Sequence, residues 1–322
     1  MNRDFKNYLL QTTKSSACEE IEVIQSLWSG YGNIFRYQLS DSFQNTVVIK
    51  CITLNQSNAH PRGRNTDHAH NRKVKSYEVE THWYEKWNHC CNNHCRVPKF
   101  IGSFTEGIEQ WIILEDLDVH FPLRKQQLDL SEVKVCLEWL ANFHAIFLNK
   151  KPTGLWDVGT YWHLETRPDE FEKIEHQKLK SKAPIIDAKL NQSKYQTIVH
   201  GDAKLANFCF SGNSKSVAAV DFQYVGGGCG IKDVAYFLGS CLSSNVSESH
   251  QNELLDFYFS ALQKAFDPSK FYFSFEELEE EWRQLYPIAC VDFTRFLFGW
   301  MPSHQKTNNY QLNLMKSVLA SL

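Results

Sequence analysis

The run His200-Gly201-Asp202-Ala203-Lys204-Leu205-Ala206-Asn207, with Val220-Asp221-Phe222-Gln223 after it, constrains this chain more than any other feature. Apolar phrases flank both runs, in TIVHGD, NFCF and VAAVDFQ, and read as short strands. A D-x-x-x-x-N loop between short strands, followed by an acid that ends a later strand, can present two carboxylates and an amide into one cleft. That set of groups suits phosphoryl transfer, which asks a protein for positioning and charge neutralisation rather than covalent chemistry. One carboxylate must orient or accept the proton of an attacking hydroxyl. An amide and a second carboxylate must hold Mg²⁺, a hard cation that prefers oxygen ligands.

Upstream, the segment from Ile21 to Ile52 is rich in β-branched and aromatic residues. IEVIQSLW, IFRYQL and TVVIKCI read as three strands joined by the turns SGYGN and DSFQN, with Gly30 and Gly32 at the first tip. A short helix is expected before them. Asn55 to Lys73, with His60, His68 and His70, reads as a polar loop. KVKSYEVETHWYEKW then suits a helix from Val74 to Asn88, with Val79, Trp83 and Trp87 at four-residue intervals. VPKFIGSF and EQWIILEDL read as two more strands. The expectation is an α+β chain: residues 1–118 form a five-stranded antiparallel sheet with one helix, and 119–322 a mainly helical lobe. Ser131 is a plausible N-cap for the helix SEVKVCLEWLANFHAIFL, which places His144 on an apolar face as a core histidine. Further helices are expected near 168–181, 232–242, 249–265, 275–299 and 308–321.

Composition removes several alternatives. Lys plus Arg is 34 against 37 for Asp plus Glu, a formal net charge of −3, so nothing drives the chain toward nucleic acid or anionic membranes. No apolar run approaches the roughly 20 residues that span a bilayer, and the start MNRDFKNYLLQTTKSS does not read as a signal peptide. The ten scattered cysteines read as reduced cytoplasmic thiols. His89, Cys90, Cys91, His94 and Cys95 are the right residue types for zinc, but no second C-x-x-C completes a structural site, so the cluster reads as a helix end.

The catalytic-type motifs resemble those of the aminoglycoside phosphotransferase and choline kinase family, a branch of the protein-kinase-like fold. His200-Gly201-Asp202 and Asn207 match its H-G-D-x-x-x-x-N signature, Val220 to Gln223 its metal motif, and Leu114-Glu115-Asp116-Leu117 its hinge phrase. LWSGYGN and VDFQ are most similar to the ecdysteroid-kinase-like branch. The resemblance implies a two-lobed fold and ATP-dependent transfer to a hydroxyl of a small molecule. Asp202 would be the base, Lys204 a second catalytic residue, and Asn207 and Asp221 the magnesium ligands. Lys50 would pair with the ATP α- and β-phosphates, partnered by Glu80, with Glu78 or Glu85 as alternatives. Gly30 and Gly32 would let the hairpin close over the phosphates, and Asp116 and Leu117 would lie near the adenine. His200-Gly201-Asp202 in place of H-R-D, Gln223 in place of a glycine, and no A-P-E segment argue against a protein substrate. A protein kinase, or a nucleotide-binding protein that transfers nothing, remains the alternative.

The acceptor would face the second lobe. Two aromatic-rich stretches could line it: Trp156, Tyr161, Trp162, His163 and Arg167, and Trp282, Tyr286, Asp292, Phe293, Arg295, Phe296 and Trp300. Aromatic walls suit a flat hydrophobic acceptor or a quaternary ammonium, and core packing competes as an explanation for each residue.

Overall fold

A computed structural model describes residues 2–27, 30–54, 67–304 and 308–322. The chain divides into two compact units, Met1–Cys90 with Val97–His120, and Cys91–Arg96 with Phe121–Leu322.

The first unit opens with helix α1 (Arg3–Thr13), capped by Asn2, whose side chain accepts from Asp4 N. Strands β1 (Ala17–Ser26), β2 (Gly32–Ser40), β3 (Thr46–Thr53), β4 (Phe100–Glu106) and β5 (Glu109–Glu115) form an antiparallel sheet in the order β1-β2-β3-β5-β4. Side chains alternate across a strand, and β3 uses both faces. Val47 and Ile49 turn toward α1, packing with Phe5, Leu9, Tyr37, Leu39, Trp111 and Ile113. Lys50 and Ile52 turn the other way, and Lys50 lies opposite Ile112 of β5. Burial on both faces is why β3 and β5 read as nearly continuous apolar runs.

Helix α2 (Asp67–Lys86) begins a full two turns earlier than its apolar periodicity indicates. Asp67 to Lys73, expected as loop, is helix, with His68 and His70 on its first turns; the rest of that expected loop, including His60, lies outside the described residues. Those first turns are polar, so hydrophobic spacing could not mark them. Among the described residues the unit holds two α-helices, α1, where a short helix is expected before the strands, and α2.

The second unit contains α3 (Leu130–Phe147), α4 (Pro168–Glu172), α5 (Gln177–Asn191), β6 (Thr197–Val199), β7 (Phe208–Phe210), β8 (Val217–Ala219), β9 (Gly226–Gly228), α6 (Ile231–Cys241), α7 (Ser244–Ala265), α8 (Phe275–Trp300) and α9 (Asn309–Ser321). The N-cap of α3 is Asp129, not Ser131: Asp129 accepts from Glu132 N, and the Glu132 side chain accepts from Asp129 N. Ser131 instead donates to Asp129 Oδ1 at 2.6 Å. The segment near 168–181 is two helices, because the chain breaks out of α4 and restarts at the His176 cap.

Two short antiparallel pairs carry the polar loops. β6 pairs with β9, and β7 with β8. Gly226-Gly227-Gly228 has no β propensity to announce it as a strand, and its pairing with β6 is a purely backbone event. Around the pairs, α8 runs against α4, α5, α6 and α9. It starts at a capping box of Ser274 and Glu277. Near its far end Gly299 lies directly under α4: a Cβ there would meet Glu170 O at 1.8 Å. Gly299→Ala must force the helices apart and should cost about 3 kcal/mol, the upper range for overpacking. Urea denaturation followed by tryptophan fluorescence checks this, and wild-type stability in the variant would show that α4 yields freely.

Candidate active site

Asp202 sits in the loop from β6 to β7, and a buried network fixes that loop before any ligand is considered. Asp233, in the first turn of α6, accepts His200 N at 2.6 Å and Gly201 N at 3.0 Å. Its side chain does not cap α6, whose N-cap is Gly230 without a side-chain bond. Asp233 therefore braces the loop rather than capping its own helix. Behind it, His144 is fully buried; its Nε2 lies 3.2 Å from Asp233 Oδ2 and its Nδ1 2.8 Å from Tyr258 Oη. His144 is a satisfied core histidine that supports the brace.

His200 links the two motif runs. Its Nδ1 accepts Asp202 N at 3.2 Å, so Nε2 carries the proton and donates to Val220 O at 3.1 Å. Burial lowers its pKa despite Asp233, Asp202 and Asp221 nearby, which keeps the ring neutral and this tautomer in place. Val220 N in turn donates to Asn207 O at 3.0 Å. The loop and the strand end that bears Asp221 are thereby one hydrogen-bonded unit.

The loop brings Asp202, Lys204 and Asn207 together. Lys204 Nζ lies 2.9 Å from Asp202 Oδ2. Asn207 Nδ2 donates to Asp202 O at 2.8 Å and to Oδ2 at 3.2 Å, which leaves the amide oxygen as the atom Asn207 can offer a cation. The Tyr236 hydroxyl, from α6, donates to Asp202 Oδ1 at 3.2 Å. Burial raises the Asp202 pKa; Lys204 lowers it, and the charge of Asp221 raises it again. Burial pulls Lys204 down, but Asp202 and Asp221 more than offset this and its pKa is raised. Asp221 itself adopts φ 71°, a left-handed conformation that costs an L-residue on the order of 1 kcal/mol, and its Oδ1 accepts Gln223 Nε2 at 2.7 Å.

In the first unit, Lys50 Nζ lies 2.6 Å from Glu80 Oε2, and both residues are buried. Glu78 is exposed and Glu85 accepts Ser103 Oγ, so the helix register selects Glu80. Gly30 (φ 75°) and Gly32 (φ 131°) lie at the first hairpin; Trp28 and Ser29 lie outside the described residues. Gly32 has a structural reason of its own: a Cβ would fall 2.1 Å from Cys51 O on β3. Asp116 and Leu117 are buried, and the Asp116 carboxylate is committed to Arg36 Nε at 2.8 Å. Any hydrogen bond this segment makes to a base is therefore a backbone one. Arg36, which also reaches Glu22 and Asp118, was not singled out in the sequence because it lies mid-strand with no local partner.

The aromatic stretches separate into core and surface. Trp282 is fully buried and donates from Nε1 to Tyr195 O; Trp156 donates to Gln223 O; Tyr286 is buried. Asp292 accepts Arg295 Nε and Trp162 Nε1, both at 3.0 Å, and Arg295 is wholly buried. His163 is buried beside Asp187. These are structural residues. Trp162, Tyr236, Phe293, Phe296 and Leu297 form a second cluster, on which the half-buried Tyr161 and Trp300 pack. That cluster reaches Asp202 through Tyr236, a residue whose signal was its position one helical turn after Asp233.

In the Cys-His segment, Cys95 is buried and Cys90 exposed, none of the ten cysteines forms a disulfide, and among the described residues no group of three or more His, Cys, Asp or Glu could hold a metal ion. No described helix is long and apolar enough to cross a membrane.

With the geometry in view, comparison with known proteins is informative. The profile of the Ecdysteroid kinase-like family matches residues 158–271, which contain Tyr161, Arg167, Asp202, Asn207, Asp221 and Tyr236. Over these residues the chain is similar to that family. The same family was indicated by the sequence motifs. Among solved structures, a microcompartment-associated aminopropanol kinase aligns over 99% of this chain and 94% of its own, at 14% identity and a TM-score of 0.51. The ethanolamine kinase Pv091845 of Plasmodium vivax aligns over 96% and 85%, at 11% identity and a TM-score of 0.50. The fold is thus α+β and protein-kinase-like, as in these two kinases. No curated protein matches the sequence.

The Lys50–Glu80 pair has a testable energetic signature. Removing one partner strands a buried charge, so Glu80→Leu should cost about 3 kcal/mol, whereas adding Lys50→Met should recover most of it. Denaturant midpoints of the single and double variants decide this, and additive losses would show that the pair is not coupled.

Proposed function

We propose that this protein is an ATP-dependent phosphotransferase that moves the γ-phosphate to a hydroxyl of a small molecule. The observation that carries this reading is the anchored carboxylate of Asp202, a buried acid whose loop is fixed by Asp233 and which accepts a hydrogen bond from the Asn207 amide nitrogen and feels the charge of Asp221. Asn207 Oδ1 and Asp221 are hard oxygen donors and fit Mg²⁺. When bound, the metal would neutralise phosphate charge. Lys50, aimed by Glu80, is assigned to the nucleotide phosphates. Asp202 takes or orients the proton of the acceptor hydroxyl. Lys204 and Asn207 hold Oδ2 and the Tyr236 hydroxyl holds Oδ1, which fixes the orientation of the carboxylate.

Labelled γ-phosphate, offered with Mg²⁺ and a panel of alcohols, sterols, amino alcohols and sugars, tests the reaction. Asp202→Asn should lower turnover by ~10²–10⁴ with MgATP binding nearly intact, while Asp221→Ala should weaken magnesium-dependent nucleotide binding as well. Wild-type turnover in Asp202→Asn would remove it from the mechanism. MgATP binding without any transfer would favour the binding-protein alternative.

The pH profile has a defined sign. Asp202 must be ionised to accept a proton, so activity falls as pH drops through its raised pKa. Lys204→Met removes the nearest cation and should move the acid limb of kcat/KM to higher pH. A limb that stays in place or moves lower would show that Lys204 does not set the charge of Asp202.

A further inference from the structure

The aromatic surface next to Asp202 already contains a cation. The Arg167 guanidinium lies 5.6 Å from the ring centre of Tyr161, 5.9 Å from Tyr224 and 5.5 Å from Phe296. It is held there by Nε, which donates to Tyr161 O at 2.5 Å, and by Nη1, 3.5 Å from Glu170 Oε1. Three faces around one positive charge form the arrangement that binds quaternary ammonium groups. Here the chain supplies the charge itself.

The same surface leads to the base. Tyr161 meets Tyr236 edge-on, with ring centres 5.6 Å apart, and Tyr236 donates to Asp202. Tyr161 thus touches Arg167 on one side and the Tyr236 that holds Asp202 on another. The carboxylate beside the guanidinium, Glu170, is already its ion-pair partner, and the other nearby carboxylates have cations or donors of their own. Glu170 is paired with Arg167, Asp292 with Arg295 and Trp162, and Asp202 with Lys204. A cationic acceptor would meet a like charge where amino-alcohol chemistry requires an anion or an empty cage.

We propose that Arg167 is a specificity-determining residue that fills this aromatic cage and excludes cationic alcohols, so that the acceptor is an alcohol without an ammonium group. Such an acceptor stacks on Tyr161 and Trp300. It takes a hydrogen bond from Arg167 Nη2, which has no partner among the described residues. This assignment rests on the phosphotransferase reading for its meaning, but the binding preference can be measured without turnover.

The probes are choline and its uncharged isostere, in which carbon replaces the nitrogen, titrated by tryptophan and tyrosine fluorescence against the full-length protein with and without MgATP. The wild type should bind the isostere at least about tenfold more tightly than choline, and Arg167→Met should reverse the ratio, since it opens the cage and unpairs Glu170. Arg167→Lys keeps the charge and should keep the wild-type preference, which separates charge exclusion from a change in fold. Equal or tighter binding of choline by the wild type, or a ratio unmoved in Arg167→Met, overturns the proposal. Failure of the phosphotransferase reading would appear separately, as no labelled product from either alcohol while this binding preference persists.

Discussion

Everything at the proposed site of transfer hangs on one buried carboxylate that does no chemistry. Asp233 takes the amide protons of His200 and Gly201, and His144 holds Asp233 from behind. A loop backbone buried away from water must have its N–H groups satisfied, and here the satisfaction comes from a side chain rather than a neighbouring strand. Because that side chain is anchored on a helix, the loop inherits the rigidity of α6. His200 then passes the constraint on: its neutral ring connects Asp202 N to Val220 O, the residue before Asp221. Positions 202, 207 and 221 are distant in sequence but leave one hydrogen-bonded platform.

That platform explains what the sequence could and could not reveal. The residue types and their order were legible because chemistry restricts them: D-x-x-x-x-N and a later strand-ending Asp leave few alternatives. The sheet was legible because β3 and β5 are dense in β-branched residues and β2 carries aromatic ones, between clear turns. The boundaries were less so. The start of α2 is polar, β9 is three glycines, and the cap of α3 is Asp129 because a capping box to Glu132 outweighs the hydroxyl of Ser131. In each case the deciding interaction is a hydrogen bond or a backbone pairing, which leaves no apolar period.

In the first unit the same logic applies to charge. Lys50 faces away from the α1 side of the sheet and would be an ordinary strand lysine were it not paired with Glu80. A buried ion pair is weak evidence for stability, since desolvation can exceed the attraction. Its retention where apolar residues would pack is better explained by a task for the ammonium. Arg36 makes the contrast. It is tied to Asp116 and Asp118, next to the phrase that the family resemblance assigns to adenine, and its charge is fully used in holding the chain there.

Aromatic density proved a poor guide to an acceptor surface because large rings serve two ends. Trp282 and Trp156 each spend the indole N–H on a backbone carbonyl and bury the ring, as a core aromatic with a polar handle should. Tyr161 and Trp300 keep part of their surface outside the same cluster. What distinguishes the two sets is not residue type or helical spacing but exposure, and Tyr161 also has the Arg167 guanidinium 5.6 Å from its ring centre. A guanidinium over three rings is strongly bound by them and only weakly hydrated, so the cluster retains its aromatic surface while losing its affinity for a second cation. The sequence left flat hydrophobic and ammonium acceptors equally open, and Arg167 is the residue that breaks the tie.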